Sequence, residues 1–282
     1  EGDRGQVVRR RDGDSGEVIA MKVSLFYLPS IGSRAEIEGG MAGLRPDLYQ
    51  QMLAEIAEQA QLADGLGYDS ISFTEHHFHI EGFEISNNPV LLDLFVAMKT
   101  QRIRVGQLGL VLPAQNPLRV AEEWAMIDNL SNGRVAIAAA SGWHVNDFVL
   151  SPGTYKCRYE DMYKKIALIQ RLWRGEKIPL ENGDGIMFDV GILPAPIQKE
   201  LPIWVTGQSD DTFLNAGRLG FNVLTANFAL QHNLKEFVRK SQIYRDAIQE
   251  HHGRRGHITL MAHTFAGENH EEIKTIARPD MS

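Results

Sequence analysis

The stretch Tyr68-Asp-Ser-Ile-Ser-Phe-Thr-Glu-His-His-Phe78 runs from apolar residues into one carboxylate and two imidazoles. Glu75, His76 and His77 are residue types that move protons near neutral pH. Ser70 to Phe73 alternates as a buried strand does, which puts the three groups at the strand's carboxyl end. Adjacent positions on an extended chain face opposite ways, so only one of the two histidines faces a common pocket. Two readings stay open on these residues alone. Either a histidine exchanges a proton with a reacting oxygen, or both are structural, with Glu75 as orienter. His79 and Glu81 follow closely, but no set with ligand spacing lies on one rigid element, so no metal site is expected.

Three further motifs carry chemistry if they meet the same mouth. In Gly106-Gln-Leu-Gly-Leu-Val-Leu-Pro113, two glycines at a strand end allow close backbone approach to a flat ligand. In Ala138-Ala-Ala-Ser-Gly-Trp-His144, small residues leave room, Ser141 and Gly142 expose amides, and Trp143 offers a stacking surface. In Val205-Thr-Gly-Gln-Ser-Asp-Asp-Thr212, the amides of Gly207, Gln208 and Ser209 with the Thr212 hydroxyl suit an anion at a helix start. Tyr155 and Arg158 could add a hydroxyl and a positive charge. Each has a plainer reading: a bulged core strand, small residues packing on large ones, and an N-cap at Ser209 or Asp210.

The elements that must position these groups alternate. Residues 22–26, 69–73, 103–113, 134–140, 202–206, 221–224 and 257–265 read as strands. Helical spacing covers 47–66, 89–98, 117–130, 158–173, 210–219 and 234–251, and one more helix begins at Glu271. Residues 30–46 read as a long loop, a candidate lid, and 177–196 as a two-stranded excursion. No two neighbouring strands of the main series have a hairpin-length connection, so a mainly parallel sheet is predicted. That is the pattern of an α/β chain folding as a (β/α)8 TIM barrel, whose chemistry sits at the carboxyl ends of its strands. Seven β/α units are one short of closure, so the eighth is expected to be missing from this chain. Residues 1–20 are polar, with Arg9-Arg-Arg11, and read as a linker or tag-like segment ahead of one domain over 21–282.

Composition narrows the function classes. A net charge of -7 argues against nucleic acid and anionic membranes as partners. The single cysteine, Cys157, excludes an internal disulfide and suits the cytoplasm. No apolar run approaches the ~20 residues of a membrane span.

Taken jointly, Thr74-Glu-His-His-Phe78, Asn88-Pro89, Gly106–Pro113, Ser131-Asn-Gly-Arg134 and Pro202-Ile-Trp-Val-Thr-Gly-Gln-Ser209 resemble the bacterial luciferase-like flavin-dependent monooxygenases. Ser141-Gly-Trp-His-Val-Asn-Asp-Phe-Val-Leu150 and Leu172-Trp-Arg-Gly-Glu176 are similar to the subgroup of nonribosomal peptide and polyketide biosynthesis. The resemblance implies a barrel that holds reduced FMN, supplied by a separate flavin reductase, with O2 as co-substrate. It implies His76 as the catalytic histidine, oriented by Glu75. It places Asn88 and Trp143 near the flavin ring and a non-proline cis peptide at Leu108-Gly109 beneath it. It sets the phosphate on Gly207, Gln208, Ser209 and Thr212, with Tyr155 and Arg158. A homodimer and a carrier-protein partner also follow from it. Ser141 and Gln208 stand where luciferase itself has an arginine and a glutamate, which argues against light-emitting aldehyde oxidation. The alternatives are an F420- or flavin-dependent dehydrogenase on the same barrel, or a non-catalytic barrel subunit.

Overall fold

The computed structural model describes residues 21–226 and 234–281, the side chains of 278–281 excepted. The linker expected at 1–20 lies outside the described residues. The chain divides into two compact units, Glu1–Ile203 and Trp204–Ser282.

The first unit opens with β1 (Ser24–Tyr27), followed by α1 (Arg34–Glu38) and α2 (Pro46–Leu66). α2 starts on a proline, whose missing N–H costs nothing in a first turn, and ends at Gly67 in the left-handed region, φ 83°. Its buried face is Met52, Ile56, Ala60 and Ala63, at three- and four-residue spacing. β2 (Ser70–Phe73), α3 (Pro89–Lys99), β3 (Arg104–Val111), α4 (Pro117–Ser131) and β4 (Val135–Ala140) continue the alternation, and α5 (Arg158–Trp173) follows. β1 to β4 pair in sequence order, all parallel, with Phe73 opposite Gln107 and Leu108 opposite Ala138. Ile71, Phe73, Val105, Val135, Ala138 and Ala139 are wholly buried. The excursion is the antiparallel hairpin β5 (Ile178–Glu181) and β6 (Met187–Val190).

Two expectations change here. The stretch 30–46, expected as a long loop, carries local helical structure. Ser33 and Glu36 cap each other's backbone and set the short helix α1, and Ala42–Leu44 makes a tight turn. The peptide Leu108-Gly109 is not cis; among the described residues the cis bond is Leu193-Pro194. β3 instead departs from regular pairing by a bulge between Leu108 and Leu110, with Gly109 at φ 113°.

The second unit holds β7 (Ile203–Thr206), which begins at the boundary, α6 (Asp210–Leu219), β8 (Asn222–Ala226), α7 (Leu234–His252), β9 (Ile258–Met261) and α8 (His270–Met281). β7, β8 and β9 are parallel neighbours. α6 and α7 approach closely at Gly217, where a Cβ would lie 2.7 Å from the Ala247 Cβ. Among the described residues no helix is long and apolar enough to cross a membrane.

Candidate active site

Parallel pairing brings the carboxyl ends of β2, β3 and β4 to one edge of the sheet. β2 delivers Glu75, His76 and His77 there, each at least nine-tenths buried. The two histidines take different partners, as alternation requires. His77 Nε2 lies 3.1 Å from Glu75 Oε1, and its backbone N–H donates to Asp147 Oδ1 at 3.1 Å. His76 Nε2 lies 3.3 Å from Glu84 Oε2, and its Nδ1 lies 3.8 Å from Asp147 Oδ2.

Glu75 therefore does not orient His76 directly, contrary to the sequence reading. Its Oε2 accepts from the Val111 amide at 2.7 Å and from Gln107 Nε2 at 3.0 Å, and its Oε1 accepts from Gln115 Nε2. β3 and its 112–114 turn thus fix the Glu75 carboxylate, and Glu75 fixes His77. Lys165 ties that turn to α5 by donating to the carbonyls of Pro113 at 2.8 Å and Gln115 at 2.9 Å.

The acids that face His76 are Glu84 and Asp147, neither singled out from sequence. Asp147 is a buried residue in the tight turns after β4. Burial opposes its charge, but the His76 ring and the His77 amide outweigh burial and hold the carboxyl below the usual range. It is the one acid of the Ser141–Leu150 stretch, and that was the available signal. Glu84 had none, because a loop ending at φ 48° brings it back to His76. A second dyad, His79 Nδ1 to Glu81 Oε1 at 2.9 Å, packs its ring 5.9 Å from His76. His144 is 5.4 Å from His79, and Trp143 is 5.9 Å from His76, edge on. His76 Nδ1, His79 Nε2 and His144 Nδ1 are buried without a hydrogen-bond partner.

Several predicted ligand residues flank this cluster. Trp143 is 73% exposed, so one face of its indole is open to a ring. A Cβ on Gly109 would meet nothing within 4 Å, so the bulge faces open space. Gly106 has another role: a Cβ there would lie 2.1 Å from the Ala136 carbonyl oxygen, so it serves the close pairing of β3 with β4. Gly142, at φ 77°, is closed in by Val111 and Phe148 and packs rather than opening its backbone to solvent. Ser141 is half-buried after β4, and Asn88 is exposed at the start of α3 without capping it. Arg158 stacks on the rings of Tyr155 at 4.5 Å and Tyr159 at 4.7 Å, and donates to the Gly142 carbonyl at 3.1 Å.

The second unit carries Gly207, Gln208, Ser209 and Thr212. The Gly207 amide donates to Leu224 O at 3.1 Å, so it holds the sheet and is not a free anion donor. Ser209 caps α6 through the Thr212 amide at 3.2 Å, and the two hydroxyls meet at 2.9 Å. Lys240 Nζ donates to Gln208 O at 2.8 Å, which puts a cation on this loop that sequence reasoning missed.

The family model for luciferase-like monooxygenases matches residues 22–281. The chain is similar to the oxygenase component of a flavin-dependent trigonelline monooxygenase from Acinetobacter baylyi, 29% identical over 233 residues, covering 81% of this chain and 63% of that protein. The chain thus spans less than two thirds of that relative's length. Its fold is similar to monooxygenase RslO1 from Streptomyces bottropensis, TM-score 0.73 at 22% identity, covering 92% of this chain and 76% of that one. It is also similar to the FMN-bound oxygenating constituent of 3,6-diketocamphane monooxygenase from Pseudomonas putida, TM-score 0.72 at 21% identity, covering 92% and 71%. At these identities the structural likeness shows a shared fold.

Proposed function

The chain belongs to the luciferase-like monooxygenase family, and from that premise we propose that it is an FMN-dependent monooxygenase acting on a small or carrier-bound intermediate of natural-product biosynthesis. The observation that carries this reading is His76, a buried imidazole whose Nδ1 is unpartnered, standing against an exposed indole at the strand ends. A flat isoalloxazine fits this edge: Trp143 offers it a face, and the Gly109 bulge leaves backbone space.

Bound reduced FMN supplies the electrons that activate O2. The protein's part is to orient, to exclude water and to move a proton. His76 gives a proton to, or takes one from, the reacting oxygen through Nδ1. Asp147 Oδ2 lies 3.8 Å from that nitrogen without occupying it. Arg158 uses three of its five N–H groups within the first unit and keeps the others for an anion.

The relative's description as an oxygenase component supports a separate flavin reductase. The biosynthetic setting rests on the Ser141–Leu150 and Leu172–Glu176 stretches. The barrel reading, (β/α)8, rests on parallel pairing within each unit. A homodimer is supported by apolar residues exposed on α3 and α4, Leu91, Met98, Met126 and Leu130, and a cytoplasmic setting by the single cysteine.

The test is mass spectrometry of product formed with reductase, NADH, FMN, a candidate substrate and 18O2. One 18O atom in the product is the expected result. Oxidised product without 18O would support the dehydrogenase alternative, and absence of both turnover and flavin binding the non-catalytic one.

A further inference from the structure

His76 has two carboxylate neighbours, and the nearer is Glu84. Oε2 of Glu84 lies 3.3 Å from Nε2, and the two side chains are 14% and 9% exposed. Asp147 is 3.8 Å from the other nitrogen, beyond hydrogen-bond reach. Glu84 also sits at φ 48°, in the left-handed region that a residue with a Cβ seldom adopts. Such a backbone persists only where its surroundings hold it, and outliers of this kind cluster at functional sites.

The surroundings here are a clamp. The Glu84 amide donates to Ser30 Oγ at 3.2 Å, and the Ile85 amide to Pro29 O at 2.6 Å. The Ile31 amide donates to Gly82 O at 2.9 Å, and the Gly43 amide to Ile80 O at 2.8 Å. The two loops meet backbone to backbone. A Cβ on Gly82 would lie 2.8 Å from Ile31 O, and one on Gly43 would lie 2.7 Å from Ile80 O. The segment after β1 therefore fixes the loop that carries Glu84.

We propose that Glu84 is a positioning residue for His76: it holds the Nε2 proton and leaves Nδ1 as the nitrogen that exchanges a proton with the reacting group. This deepens the monooxygenase reading and rests on it for the reaction. The geometric part stands independently. In both charge states Nε2 keeps its proton against Glu84. Only Nδ1 gains and loses one.

The experiment is two-bond 1H–15N NMR on the full chain labelled in its histidine side chains, read without flavin at a pH where His76 is neutral. His76→Gln identifies the signals. Wild type is expected to show the Nε2–H tautomer at His76. Glu84→Ala should shift it toward a tautomer mixture, and Glu84→Gln, whose carbonyl still accepts, should keep the wild-type pattern. An Nδ1–H tautomer in wild type, or a wild-type pattern in Glu84→Ala, overturns the proposal. In turnover assays, Glu84→Ala should lower kcat at least tenfold, with KM and FMN affinity within about twofold, and Glu84→Gln should recover most of the loss. Equal losses in both variants together with loss of flavin binding would mark Glu84 as merely structural and contradict it. Because the spectra need no cofactor, a wrong assignment of the reaction leaves this test intact.

Discussion

Glu75 holds His77, with 3.1 Å between Oε1 and Nε2, and so separates two adjacent histidines into different roles. One belongs to a buried polar network that joins β2 to β3. The other is left to Glu84 and Asp147 with an unpartnered nitrogen.

The first prediction follows from that network. Glu75→Ala removes the acceptor of the Val111 amide, Gln107, Gln115 and His77 in a buried site. Leaving those donors unpaired should destabilise the fold by about 3–5 kcal/mol. Urea unfolding of the variant measures it. A loss below ~1 kcal/mol, with activity alone abolished, would make Glu75 chemical rather than architectural.

Asp93 on α3 predicts a pH dependence. It is wholly buried, both oxygens lack a well-placed hydrogen-bond partner, and burial pushes its carboxyl well above the usual range against a weaker pull from the Gly106 amide. A raised folded value means that folding binds a proton. The stabilising contribution is complete below the unfolded value of about 4 and is lost as pH rises toward the folded value. Asp93→Asn cannot ionise, so its melting temperature relative to wild type should climb between pH 4 and pH 8. A constant difference across that range would count against the assignment.

Asp147 predicts the opposite sign. Its folded value lies below the ordinary 3.8, because the His76 ring and the His77 amide outweigh burial. Its contribution is present above the unfolded value and is lost as pH falls through the folded one. Asp147→Asn should therefore be less stable than wild type at pH 6, with the difference shrinking as pH falls below about 4. Acid titrations followed by circular dichroism check this, and curves that stay parallel into acid would refute it.

Much of the frame was legible because it follows from periodicity. β2, α3, α5 and α6 lie where apolar spacing, prolines and caps put them. That His76 and His77 face different partners was legible from alternation alone. Glu84 was not, since no periodic rule says that a loop will return at positive φ to the strand it left. Gly106, Gly109 and Gly142 looked alike in sequence. The structure separates them into a strand contact, an open bulge and a packing site, because what a Cβ would meet depends on neighbouring elements. At Gly207 the amide is taken by Leu224, a partner on another strand that the local motif does not reveal, while Ser209 and Thr212 meet as the cap of α6.

Arg158 tests the anion end. Its guanidinium is stacked between Tyr155 and Tyr159 and so is held in place before any ligand arrives. Arg158→Ala should weaken FMN about tenfold, the loss of one charge-assisted contact worth ~1.4 kcal/mol, while riboflavin binding changes little. Fluorescence titration with both flavins distinguishes the outcomes; an equal loss for both would remove Arg158 from the phosphate.

The most direct measurement compares 18O incorporation by wild type and His76→Ala, with reduced FMN supplied at saturation and flavin binding measured in parallel. We expect the variant to bind flavin within about threefold of wild type and to form labelled product 10²–10⁴-fold more slowly, the range for loss of a proton-transfer group. Labelled product at a near wild-type rate from His76→Ala would contradict the account.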